Sequence, residues 1–308
     1  MSIVERALQK AQATKPESAV PPEAEREATD VAAPPTAPEP APVPRSKTPR
    51  TGFALGETVA INLTQLRAQG RLAADGLVHR TEEEFRRIKW PLLNAISGRG
   101  GTPAAANNLI LVTSAVPGEG KTFTALHLAL SLAREPDIEV LLVDGDVAQP
   151  TLSASLGISS RPGLTDMVAD PALDFASIIF PTSIDRLFVA PAGARRDNSP
   201  ELLASARMAG LMEDLARRVS PGVVVFDSPP VLATNEAQVL SRYVGQIVMV
   251  VRADMTEQRV VTEALGLLDR TKPVSAVLNK VESSLISRYY SYYYYGYGKN
   301  GKGQGVKT

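Results

Sequence analysis

The chain has 308 residues, with 33 basic side chains balancing 33 acidic ones, and no cysteine. Zero net charge supplies no global basic field for nucleic acid, and the missing thiols exclude a disulfide framework or a thiolate metal site. His79 and His127 are the only histidines, too few and too scattered for a zinc cluster.

The N-terminal stretch MSIVERALQKAQ places Ile3, Val4, Ala7, Leu8 and Ala11 at helical spacing, which predicts a short amphipathic helix over residues 1–12. Its charges are unlike a signal peptide, and no run approaches the ~18 apolar residues of a membrane-spanning helix, so the chain reads as cytoplasmic. Ten of the 24 prolines fall in the first fifty residues. Proline removes donors and fixes φ, and this stretch has almost no large apolar side chain to bury, so residues 13–55 are expected to form a disordered linker.

Residues 56–106 read as helical. In RTEEEFRRIKWPLLNAISG the acidic run is expected near the helix start, where the macrodipole favours it. Phe85, Ile88, Leu92 and Leu93 form an apolar stripe, and Pro91, after the lone Trp90, is expected to end or kink the helix. Glu83, Arg86 and Lys89 recur every three residues and are expected to share one helix face.

From 107 to 284 strand and helix patterns alternate. NLILVTS, IEVLLVD, RLFVAPAG, GVVVFDSPP, GQIVMVVRA and VSAVLNK read as strands; TFTALHLALSLARE reads as a helix. SPELLASARMAGLMEDLARRV reads as one helix, with serine as N-cap and proline at its first position. Near-continuous apolar strands in β–α alternation predict an α/β fold, a mostly parallel sheet with helices on both faces.

The first strand runs into AVPGEGKT, residues 115–122, a phosphate-binding loop with Ala115 in place of its first glycine. Gly118 and Gly120 let the backbone curl so that N–H groups face phosphate oxygens, and the following helix start adds its positive end. Lys121 is placed to reach β/γ oxygens, and the Thr122 hydroxyl to ligate magnesium. Pro117, Glu119 and Phe123 complete the expected nucleotide-binding stretch. Asp144, Asp146 and Asp227 end strands, where open parallel sheets bind ligands. Together with a phosphate loop they suggest a magnesium site, with Thr122, Asp146 and Asp227 as candidate ligands. Asn279 ends a strand on the same edge and is a candidate contact for the nucleotide base, or else a turn asparagine.

Seven of the eight tyrosines, Tyr289, Tyr290, Tyr292, Tyr293, Tyr294, Tyr295 and Tyr297, crowd into a glycine-studded tail spanning 285–308. After Glu282 the chain has no acidic side chain, and Arg288, Lys299, Lys302 and Lys307 make that tail cationic.

The blocks SAVPGEGKT, LLVDGDVAQP and VVVFDSPPVLATNEA, with the tyrosine-rich tail, resemble the Walker A, Walker A′ and Walker B blocks and acceptor tail of bacterial tyrosine autokinases. That is a P-loop family related to the ParA/MinD ATPases. RTEEEFRRIKWPLL and the N-terminal helix further resemble the kinases of exopolysaccharide loci that use exosortase sorting. The resemblance implies ATP and Mg2+ as cofactors, with Lys121, Asp144, Asp146 and Asp227 catalytic and Asp144 the candidate proton acceptor, though Asp146 can trade roles with it. It implies transfer to the chain's own tyrosines in trans within a ring-like homo-oligomer. It also implies a membrane partner of the polysaccharide chain-length determinant class, recruitment to the inner membrane by that partner, and an opposing protein-tyrosine phosphatase. Glu83 and Arg86 match the family's interface pattern, with Lys89 in place of its last arginine. Ala148, followed by Gln149, stands where the Walker A′ block usually carries an arginine. Two readings compete: a ParA/MinD-type ATPase, against which the lack of a lysine before Lys121 in the loop argues, and a weakly catalytic ATP-binding scaffold.

Overall fold

The computed structural model describes residues 57–98 and 106–281. The 1–12 helix, the 13–55 linker and the seven tail tyrosines lie outside the described residues.

The described part is built on a seven-stranded sheet, β1 Leu109–Ser114, β2 Val140–Asp144, β3 Phe180–Pro181, β4 Leu187–Ala190, β5 Val223–Asp227, β6 Gln246–Arg252 and β7 Val274–Asn279, in the order β3-β4-β2-β5-β1-β6-β7. All pairings are parallel except the short β3 against β4. The expected strands are present. The two-residue β3 carries no apolar run, and nothing in the sequence announced it.

Strand alternation separates two cores. Leu109, Leu111, Leu141, Val143, Val224 and Phe226 face one side, against helices α5 Leu164–Ala169 and α8 Ala206–Val219. Ile110, Val112, Val140, Leu142, Val223 and Val225 face the other, against α2 Val78–Ile96 and α3 Lys121–Leu132. Burial on both faces is why these strands are apolar at every position rather than at every second one. The smaller helices are α1 Leu63–Ala68, α4 Thr151–Ser155, α6 Phe175–Ile178, α7 Ser199–Leu203, α9 Glu236–Ser241 and α10 Gln258–Leu267. No helix among the described residues is long and apolar enough to cross a membrane.

Four helical expectations need correction. The single helix expected over 199–219 is two, α7 and α8: Ser205 interrupts it, accepting a hydrogen bond from the Met208 N–H and so capping α8. At the start of α7, Asn198 takes the capping position expected of Ser199. The acidic run does not open α2, which begins at Val78 after a 3-10 turn at Asp75–Leu77. Nor does Pro91 end α2, which continues to Ile96. Its ring lies on the exposed side, while Phe85 and Leu92 anchor the opposite side in the core.

The fifth correction concerns Lys89. It does not share a face with Glu83 and Arg86, because a three-residue step falls 60° short of a full turn and two steps carry it about 120° away. Glu83 and Arg86 are exposed, in line with the exposed Trp90. Lys89 is buried; its Nζ donates to the Ser131 carbonyl at 2.8 Å and pairs with Glu135 at 2.7 Å, fastening α2 to the end of α3. Truncating it strips a buried ion-pair partner. Lys89→Ala should lower unfolding free energy by about 1–3 kcal/mol, whereas Arg86→Ala should change it by less than about 0.5 kcal/mol. Urea denaturation of the two variants checks this; equal effects would return Lys89 to the surface.

Candidate nucleotide site

The β1–α3 connection is the phosphate loop. Gly118 (φ +82°) and Gly120 (φ +100°) adopt left-handed backbone conformations, and a Cβ at Gly120 would meet the Asn279 amide nitrogen at 2.1 Å. A side chain at 120 is therefore disfavoured by the backbone conformation, and would displace the Asn279 amide as well. Helix α3 begins at Lys121, so its free N–H groups open toward the loop.

The loop borders a cavity of about 520 Å³. Pro117, Gly118, Gly120, Lys121, Thr122 and Phe123 line it, together with Asp146 and Asn279. Of the Walker-type residues expected from sequence, Lys121, Thr122 and Asp146 line this space, whereas Asp144 and Asp227, direct partners on β2 and β5 with Val112 of β1 beside Asp227, are buried and do not.

Three expected site residues have a different place from the simplest reading. The Glu119 side chain points away from the cavity and is buried; its carboxylate accepts from Val116 N (2.9 Å), Arg252 N (3.0 Å) and Thr256 Oγ1 (2.6 Å). Asp144 is also buried. Its Oδ2 accepts from both N and Oγ of Ser153 at 2.7 Å, and its Oδ1 from Asp146 N at 3.2 Å, so it holds the loop instead of lining the cavity. Asn279 donates from Nδ2 to the Glu119 carbonyl at 2.8 Å, a clasp on the phosphate loop.

Several participants carried no sequence signal of their own. Ser153 is one, a buried serine on the five-residue α4. Lys280 donates from Nζ to the Gly118 carbonyl at 2.9 Å. Arg71, contributed by the turn after α1, lines the cavity.

The electrostatics centre on Asp227. Burial, with Asp144 beside it, pushes its carboxyl up to about 7, against the lowering effect of a Thr122 hydrogen bond and of Lys121. Burial pushes Asp144 up to about 6, opposed by its Ser153 hydrogen bonds. Burial also raises Asp146, with Lys121 partly compensating. The Oδ1 of Asp227 is buried without a hydrogen-bond partner. A buried carboxylate oxygen with an open lone pair, beside a threonine hydroxyl, fits a hard divalent cation. Among the described residues no cluster of three or more His, Cys, Asp or Glu side chains forms a metal cage.

No family model matches the chain. It is similar to the tyrosine-protein kinase YwqD of Bacillus subtilis, 31% identical over 186 residues, covering 60% of this chain and 76% of that one. It is similar to the solved kinase domain of VpsO, 31% identical with TM-score 0.52, covering 64% of this chain and 98% of that one. The kinase domain of the Escherichia coli tyrosine kinase ETK is 25% identical with TM-score 0.53, covering 65% of this chain and 73% of that one.

The raised carboxyls make a pH signature. A carboxyl that binds its proton more tightly folded than unfolded favours folding at low pH, and that advantage is lost as pH rises toward its folded pKa. For Asp227 the window runs from the usual ~4 to about 7. Without nucleotide or divalent cation, stability should fall across this window, by at most about 1.4 kcal/mol per pH unit for one proton. Asp227→Asn should flatten the curve and melt higher than the parent at pH 8. Thermal melts in EDTA from pH 5 to 8 read the difference; parallel curves would refute the buried-charge account.

Proposed function

The chain belongs to the bacterial tyrosine-protein kinases, and we propose that it is an autokinase whose acceptors are its own C-terminal tyrosines, phosphorylated in trans. The observation that carries this is positional. Strand β7 ends at Asn279 against the phosphate loop, and the chain then proceeds toward a segment holding seven of its eight tyrosines. A tail rooted at the rim of one nucleotide site is well sited to extend to a neighbour's.

Each residue then has a role. The loop N–H groups and Lys121 hold the β- and γ-phosphates of ATP. Thr122 and Asp227 would hold Mg2+, which supplies charge neutralisation at the transferring phosphoryl group. Asp146, the carboxylate that lines the cavity, draws the proton from the incoming tyrosine hydroxyl. Asp144 is a positioning residue: it accepts from the Asp146 N–H and so fixes the turn that presents Asp146. Asn279 remains a candidate for the base.

Glu83, Arg86 and the exposed Trp90 on α2 form the surface we assign to contact between copies in a ring, a combination in which arginine and tryptophan are favoured anchors. Lys89 has no part in it. We further assign the 1–12 segment to a membrane partner of the polysaccharide chain-length determinant class, which would bring a cytoplasmic kinase to the inner membrane, with a phosphatase reversing the modification. These assignments follow from the resemblance of the motifs to kinases of exopolysaccharide loci.

Mixing two variants tests the trans reaction. A Lys121→Met chain with its tail intact should show no phosphotyrosine alone, a loss of at least about a hundredfold. It should become labelled when mixed with an active chain truncated after residue 284. Labelling of Lys121→Met alone would sink the site assignment, and an unlabelled mixture would sink transfer in trans.

Phosphorylation should also act by charge. The tail from Arg288 onward carries four basic side chains and no acidic one. Each phosphate adds about −1.5 to −2, so about three bring the side-chain sum to zero or slightly below. A tail drawn to an acidic, nucleotide-filled site while cationic should be repelled once heavily phosphorylated. Variants retaining one, three, five or seven tyrosines, sedimented after ATP, should shift toward monomer in graded fashion. Full dissociation with a single tyrosine would refute the counting mechanism.

A further inference from the structure

Arg71 stands on the turn that closes α1, far from the Walker blocks in sequence, yet it lines the same cavity as Lys121, Thr122 and Asp146. Its backbone is fixed. Gly70 (φ +66°) donates to the Arg67 carbonyl at 2.9 Å and the Arg71 N–H to the Leu66 carbonyl at 2.8 Å, the paired bonds of a Schellman helix end. Leu66 and Leu72, on either side, are buried at 1% and 7% exposure. Two residues on, the Ala73 N–H donates to Nε2 of His127 at 3.2 Å, so His127 carries its proton on Nδ1 and donates to the Phe123 carbonyl at 2.9 Å. The turn is therefore clamped to the first turns of α3, the helix that begins with Lys121 and Thr122.

The side chain is held out of ordinary pairing. Arg67, on the same segment, also has a buried Nε without a hydrogen bond, but it has the Asp75 carboxylate 3.2 Å away as an ion-pair partner. Arg71 has no carboxylate partner among the described residues, and its Nε is buried with no hydrogen-bond partner. A partly buried guanidinium without an anion is unusual, since buried polar groups are nearly always satisfied. The same cavity is built for a polyanion. Lys280, another cation in its lining, has its Nζ engaged by the Gly118 carbonyl at 2.9 Å.

We propose that Arg71 is a phosphate ligand of the bound nucleotide, its planar fork accepted by non-bridging oxygens of the phosphate chain. This rests on the reading that ATP occupies the cavity. It makes the α1 turn part of the active site. Geometry favours arginine over lysine here, because a rigid fork matches two phosphate oxygens at once.

The test is calorimetric binding of Mg–ADP and Mg–ATP to the full chain and to Arg71→Ala, Arg71→Lys and Lys121→Met, with adenosine as a phosphate-free probe. Arg71→Ala should weaken both nucleotides about tenfold to a hundredfold, the range for a lost hydrogen bond to a charged group. Arg71→Lys should fall between, since it keeps the charge and loses the fork. Adenosine affinity and the melting temperature of the nucleotide-free chain should stay at parent values. Parent-like nucleotide affinity in Arg71→Ala, with Lys121→Met impaired, would overturn the Arg71 assignment and leave the nucleotide site standing. An equal loss for adenosine would also overturn it, since the residue would then act on cavity shape. Failure of the parent chain to bind either nucleotide would overturn the nucleotide reading itself.

Discussion

The site depends on one buried carboxylate. Glu119 lies in the middle of the phosphate loop, 1% exposed, with hydrogen bonds from Val116 N, Arg252 N and Thr256 Oγ1. A buried polar group so placed is tolerable only when its oxygens are satisfied by hydrogen bonds. These three reach from within the loop, from the end of β6 and from the turn beyond it. Two more contacts come from the end of β7: Asn279 to the Glu119 carbonyl and Lys280 to the Gly118 carbonyl. A loop that must aim its N–H groups at a ligand cannot also satisfy its own carbonyls. In this chain side chains at the end of β7, two strands from β1, donate to two of those carbonyls.

The buried strand-end aspartates work the other way. Asp144 and Asp227 are paired in register on adjacent strands, both buried. Two carboxylates so close cannot both ionise cheaply, and burial raises each. Ser153 relieves Asp144 with two hydrogen bonds, but Oδ1 of Asp227 has no hydrogen-bond partner among the described residues. The asymmetry divides the labour. Asp144 is satisfied by the protein and acts on structure, while Asp227 is left wanting a positive partner. On the proposed reading, a cation bound with the phosphate chain would supply that partner and so link nucleotide binding to fold stability.

What could be read from sequence follows from which interactions are local. Apolar runs such as LILVTS and VVVFD are legible because burial on both faces demands apolar residues at every position. The phosphate loop is legible because its glycines answer to backbone geometry within a few residues. Lys89 was misread because a three-residue spacing only approximates a helix face, and Glu135, the group that recruits it inward, lies 46 positions away. The break at Ser205 is hidden in the sequence because the apolar periodicity continues across it; the extended backbone of Ser205 and its cap bond to Met208 separate α7 from α8. Arg71 and Ser153 were invisible for a common reason. Each is an ordinary residue in an ordinary stretch, and each gains its place from a contact across the fold.

These long-range contacts change what the region before β1 is for. Were 57–98 merely a spacer between a linker and a catalytic domain, its tightest bonds would be internal. Instead Lys89 and Ala73 are bonded to α3, and Val59 forms a bridge to Thr182 beside β3. Helix α3 begins with the residues that would hold phosphate and metal, so a force applied to this segment reaches the site through one rigid element. The segment meets α3 at two heights: His127, one turn beyond Phe123, and Ser131, near the helix end. Two attachment points on one helix resist both sliding and tilting, where a single one would leave tilting free. Anything that binds the exposed Glu83–Arg86–Trp90 side of α2 therefore sits one packed helix away from Lys121, without a flexible joint between them among the described residues. In such an arrangement assembly and nucleotide binding share a structural element, and linkage requires that whatever free energy one transmits to the other is transmitted equally in return.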